Sequence, residues 1–153
     1  MFVLLILLNI LSVGLFTGAM MEVAVADIPM FLELSPEAFV TVFDGVGKYK
    51  HPYMPAYCVI AIATALGELF FYRNLWEVLC VVIGVVCMLS ITIVTEVVTM
   101  PLNRKISAWL SGSVEEDISA MRDKWIWFHY LRTMTGVFGF LVLLLPLTLV
   151  VRL

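Results

Sequence analysis

Four long apolar segments limit what this chain can fold into: Phe2 to about Ala26, Met54 to Tyr72, Leu75 to about Val98, and about Phe128 to Val151. Each is long enough, or nearly so, to cross a hydrocarbon layer of about 30 Å, which takes about 20 helical residues. Backbone amides without partners cannot face lipid, so each segment is predicted to be a helix. The expected fold is all-α: a transmembrane four-helix bundle with a short interfacial helix in the first long loop, forming a single four-span membrane domain over residues 1–153. The first segment has no basic residues ahead of it and exceeds the length of a secretory h-region, which predicts a retained span.

Composition agrees. The chain is 63% hydrophobic and 14% charged, with a mean hydropathy of +1.07, against about 45–50% and about 25% in soluble domains. A net charge of −3 with no basic face excludes nucleic acid as a partner. The expected partners are the lipid bilayer, a lipophilic small molecule, and a homo-oligomer or membrane complex. Cys58, Cys80 and Cys87 all fall inside apolar segments without a Cys-x-x-Cys pair, so they read as small packing residues.

Between the spans, local signals set the connections. Ser35-Pro36-Glu37 reads as an N-cap, a proline at the first helical position and an acid in the first turn, predicting a helix from Pro36 to about Asp44 that Gly45 and Gly47 end. Arg73-Asn74 is too short for anything but a hairpin between spans two and three. Pro101 is expected to kink span three near its foot. Ser113-Val-Glu-Glu116 has the pattern of a capping box, which starts the last helix near Val114.

Polar residues inside the spans repeat at helical spacing. Gly14, Gly18 and Glu22 form one stripe of small residues ending in a carboxylate that faces the bundle. Tyr57, Ala61, Thr64 and Glu68 share a face of span two, and Thr92, Glu96, Thr99 and Asn103 share one of span three. His129, Arg132 or Thr133, Gly136 and Phe140 share one of span four. Alternating the spans brings Glu22, His51, Tyr57, Glu96, Asn103, His129 and Arg132 to the end where the long loops lie, the loop end. Glu68 alone falls at the opposite, hairpin end. Ionisable residues within spans mark function by default, so the loop end should hold a polar pocket. Seven of the nine basic residues also lie there, which predicts cytoplasmic loops and external termini.

Three readings of this cluster stay open. Glu22, Glu96, His129 and His51 make a metal set suited to a single transition metal such as iron, although no Glu-x-x-His pair is present. In a structural ion-pair network, Arg132 would neutralise Glu22 or Glu96. In metal-free acid/base chemistry, His129 would act as base while Arg132 and Asn103 stabilise an oxyanion. Tyr57, Trp125 and Thr99 are the candidate substrate contacts. A transporter is disfavoured because no inverted repeat is visible.

Gly14-x-x-x-Gly18, Met-Pro-Leu-Asn103 and Trp125-x-x-x-His129-x-x-Arg132, in this order and spacing, resemble the anthrone oxygenase-like family of small four-helix membrane proteins. The resemblance implies a four-span bundle. It also implies, for some members, oxidation of anthrones to anthraquinones by molecular oxygen with no dedicated cofactor. Pro101, Asn103, Trp125, His129 and Arg132 are the matching family positions; Glu22, Glu68, Glu96 and His51 are not among them. The expected function is oxygen-dependent oxidation of a lipophilic phenolic or quinonoid substrate. The alternative is a non-catalytic membrane subunit, or a binding protein whose Glu/His/Arg cluster is structural.

Overall fold

The computed structural model describes residues 2–50 and 53–147. Its elements are α1 (Phe2–Glu22), a π-helical turn (Val23–Asp27), α2 (Ile28–Glu33), α3 (Pro36–Lys50), α4 (Met54–Glu68), α5 (Leu75–Val94), a second π turn (Thr95–Thr99), α6 (Met100–Ala108), a 3-10 turn (Trp109–Ser111) and α7 (Ile118–Leu144). Three continuous helical stretches, Phe2–Glu33, Leu75–Ser111 and Ile118–Leu144, are long and apolar enough to cross a membrane, and Met54–Glu68 is a shorter apolar helix. The protein is a helical membrane bundle.

α1 packs mainly along α4 and α7, and α5 along α7, while the α4–α5 seam is the sparsest of the four. The α5–α7 seam is close because its facing residues are small. A Cβ on Gly139 would lie 2.8 Å from the Cβ of Cys87, and one on Gly84 would collide with Leu143. The α1–α4 seam is pinned by Asn9, a lone polar residue in an apolar run, whose Nδ2 donates to the Ala61 carbonyl at 2.8 Å and to Thr64 Oγ1 at 3.2 Å. Glycines 14 and 18 do not make the expected seam. Gly14 meets the Phe140 ring at 3.6 Å, whereas a side chain at Gly18 would meet nothing within 4 Å. The buried stripe of α1 runs through Asn9, Val13, Phe16, Thr17 and Met20 instead. Large side chains fill the interface, and the glycine pair lies off its centre.

Five boundaries differ from expectation. The second helix ends at Glu68, not Tyr72, so residues 69–74 and not Arg73-Asn74 alone join it to α5. The first helix does not stop near Ala26: it continues through the π turn to Glu33, where Arg122 Nη1 takes up the Phe31 and Leu34 carbonyls at 3.1 and 3.4 Å. α3 is capped by Ser35, whose Oγ accepts from Ala38 N–H, but it runs past Gly45 and Gly47 to Lys50. The burial of Phe39, Val40 and Phe43 against Phe31, Ile106 and Trp125 outweighs a glycine cost of about 1 kcal/mol each. The third helix continues beyond Val98 to Ser111. The last helix starts at Ile118, capped by Asp117, whose carboxylate accepts from Ser119 N–H. Ser113 turns back to the Ala108 carbonyl, and Glu116 pairs with Lys105.

Candidate functional site

The site forms where two helices break register at the same end of the bundle. Pro29 and Pro101 each lack an N–H, and each ring would clash with the carbonyl four residues back. The chain resolves both clashes with one π turn directly ahead. Ile28 N–H bonds the Val23 carbonyl and Met100 N–H bonds the Thr95 carbonyl, each reaching back five residues rather than four. Such turns concentrate at functional sites. Sequence reading anticipated a kink at Pro101 and placed Pro29 in a loop.

The added residue widens the face a helix presents. Sequence neighbours Thr95 and Glu96 both line a cavity of about 620 Å³, with Thr92 and Thr99 above and below; Glu22 lines it from the end of α1, and Val23 and Asp27 from the first π turn. Phe16, Met20, Met54 and Ile62, among others, give it a largely apolar surface. Thr95 and Asp27 escaped the sequence reading. Thr95 lies off the Thr92–Glu96–Thr99–Asn103 stripe at constant helical period, and Asp27 was assigned to the connecting loop.

α7 supplies the polar wall. His129 is buried, with Nε2 3.0 Å from the Met20 carbonyl and Nδ1 3.2 Å from Arg132 Nη2. A guanidinium only donates, so Nδ1 must carry the lone pair and Nε2 the proton that goes to Met20. The two contacts together assign the neutral Nε2–H tautomer. Arg132 also donates from Nη1 to Thr95 Oγ1 at 3.0 Å and from Nε to the Phe128 carbonyl at 3.4 Å. All three acceptors are neutral: Arg132 binds these rather than forming the expected ion pair with Glu22 or Glu96.

Trp125 stands one turn before His129, its ring stacked on the imidazole with centroids 5.1 Å apart. Its Nε1–H donates to Asn103 Oδ1 at 2.9 Å, and Phe43 meets its face edge-on at 5.2 Å. The Met-Pro-Leu-Asn103 and Trp125–Arg132 motifs are therefore tied by a direct hydrogen bond, and Trp125 stacks on His129 while Phe43 packs perpendicular to it.

The structure brings Glu22, Tyr57, Glu96, Thr99, Asn103, Trp125, His129 and Arg132 around this cavity. His51 lies outside the described residues. Among the described residues no group of three His, Cys, Asp or Glu side chains is close enough to hold a metal, and a metal at His129 would have to displace Met20 or Arg132. Glu68 is not among the residues that line the cavity: it is buried at the hairpin end, where Tyr72 Oη donates to its Oε2 at 3.3 Å and its Oε1 has no partner among the described residues.

No curated protein and no solved structure matches the chain. A family model does: the one described as anthrone oxygenase covers residues 42–142, from within α3 to near the end of α7. It thus takes in Asn103, Trp125, His129 and Arg132, the residues that the fold joins into one wall, and leaves out α1 with Glu22 and the first π turn with Asp27. With more than half of its length matched, the chain belongs to the anthrone oxygenase family.

Proposed function

We propose that the cavity binds a lipophilic phenolic or quinonoid substrate and that the protein oxidises it with molecular oxygen. The observation that carries this reading is Arg132: a guanidinium in the wall of a largely apolar cavity, held by three neutral acceptors. A guanidinium has five N–H donors; three are engaged, which leaves two for a ligand oxygen. A guanidinium whose hydrogen-bond acceptors are all neutral favours a ligand oxygen that brings negative charge to it, and a phenolate or enolate does so within a flat apolar body. A volume of about 620 Å³ falls within the range of about 300–1,000 Å³ typical of small-molecule sites.

In this mechanism the substrate oxygen draws Arg132 Nη2 away from His129. Release of Nδ1 frees the lone pair that accepts the proton, so base and oxyanion donor act together. Asn103 and Trp125 hold the imidazole plane. Oxygen then reacts at the activated methylene carbon. Two hydrogens leave that carbon, one oxygen atom becomes its carbonyl, and the other departs in water, so no external reductant is needed. Glu22 and Glu96 border the cavity as orienting carboxylates. Positive residues gathered at the loop end favour a cytoplasmic position for that end of the bundle.

The test is titration of a dihydroxyanthraquinone, and oxygen uptake with anthrone, by the protein in lipid nanodiscs. Arg132→Ala should weaken dihydroxyanthraquinone binding about 10- to 100-fold, the range set by a charge-assisted hydrogen bond of about 1.5–3 kcal/mol, and abolish oxygen uptake. Unchanged binding together with no uptake by the parent protein would reject the enzyme reading. It would favour the second reading, a non-catalytic membrane subunit, for which the internal satisfaction of both His129 ring nitrogens already speaks.

A further inference from the structure

The cavity does not stay inside the bundle. Its lining includes Phe16 and Met20, only 6% and 3% exposed, and also Val59 and Leu89, 66% and 45% exposed. Val59 belongs to α4 and Leu89 to α5, and both lie within the apolar stretches of those helices. One continuous space therefore runs from the core, across the α4–α5 seam, to a surface that faces hydrocarbon in a membrane. We propose that this seam is a lateral portal through which the cavity exchanges its ligand directly with the bilayer. This deepens the reading of the cavity as a lipophilic-substrate site and rests on it.

The seams differ in how firmly they are closed. α1–α4 is pinned by the two Asn9 hydrogen bonds, and α5–α7 by the Gly139–Cys87 approach. Across the α4–α5 seam at the level of the cavity, Cys58 Sγ meets Thr92 Oγ1 at 3.3 Å. A thiol is a weak donor and a weak acceptor. Thr92 Oγ1 also has an alternative partner of its own in the Met88 carbonyl, at 3.0 Å. Parting Cys58 from Thr92 thus leaves the hydroxyl satisfied and costs little. At the far end α4 and α5 are joined by the short connection of residues 69–74, so the seam can widen at the cavity while its other end stays tied. A flat ligand sliding in sideways keeps its apolar body in an apolar medium throughout, and only its oxygen meets Arg132.

The test is a reversible lock. Thr92→Cys facing native Cys58, with Cys80 and Cys87 replaced by Ala, places two thiols at the position of the present contact. Oxidation should slow both association and dissociation of a dihydroxyanthraquinone at least about tenfold, equivalent to about 1.4 kcal/mol on each barrier, and dithiothreitol should restore them. Rates unchanged by the lock would overturn the portal. A second readout needs no substrate. With Trp76, Trp109 and Trp127 replaced by Phe, lipids brominated on their acyl chains should quench the remaining Trp125 more in the reduced than in the oxidised protein. Equal quenching in the two states overturns the portal as well. Failure of the reduced protein to bind dihydroxyanthraquinone, with the quenching difference intact, would instead reject the assigned substrate class and leave the portal standing.

Discussion

The hairpin end of the bundle is filled and the loop end is hollow, although the same long helices build both. At the hairpin end buried polar groups are few and meet close neighbours: Asn9 meets Ala61 and Thr64, and one carboxyl oxygen of Glu68 meets Tyr72, beside a core that includes Val13, Ala61, Ala65 and Val81. At the loop end two prolines force π turns that turn more polar residues inward than packing can cover. The difference teaches that a cavity here comes from backbone register and not from small side chains. Small residues do the opposite in this molecule, drawing α5 and α7 together at Gly84 and Gly139.

If the two ends are independent, damage to the filled end should spare the hollow one. Gly139→Val should have the largest effect: the new Cβ meets the Cys87 Cβ, an atom that no rotamer change can move, and overpacking of this kind costs about 1–3 kcal/mol. Thermal unfolding in nanodiscs should show the loss, while dihydroxyanthraquinone affinity of the folded fraction stays unchanged. A parallel fall in affinity would show the two ends to be coupled. Asn9→Leu removes two interhelical hydrogen bonds and should cost about 1 kcal/mol, in the range measured between membrane helices; no loss of melting temperature would mean that apolar packing alone closes the α1–α4 seam. Glu68→Gln should be smallest, below about 0.5 kcal/mol, because an amide oxygen can still accept from Tyr72 and the change adds only the partner demand of an exchanged donor. A larger loss would reveal a role for the Glu68 carboxyl beyond filling space.

Much of the architecture was legible because spans announce themselves through length and hydropathy. The clustering of polar residues at one end followed from alternation alone, and Asn103, Trp125, His129 and Arg132 were found through spacing and family resemblance. Constant helical period hid the rest. Thr95 and Asp27 line the cavity only because each sits in a π turn, and a register assumed uniform places one off its stripe and the other in a loop. Asn9 carried a readable signal, a lone amide in an apolar run, and was passed over for the more familiar Gly14–Gly18 spacing. At the start of α7 the capping-box pattern at Ser113 pointed four residues too early. Asp117 won because Glu116 reaches Lys105 and Ser113 closes the preceding turn.

Each π turn is, in the arithmetic of the genetic code, an α-helix carrying one surplus codon. Taking out a single residue between Thr95 and Thr99 would restore an unbroken spiral and swing everything beyond it by about 100°. Asn103 would leave Trp125, and the stretch from Leu102 to Ile106 would present another side to α3. The two turns thus act as rotational offsets written into the reading frame. They make the cavity far more sensitive to the length of these helices than to the identity of most side chains that line it.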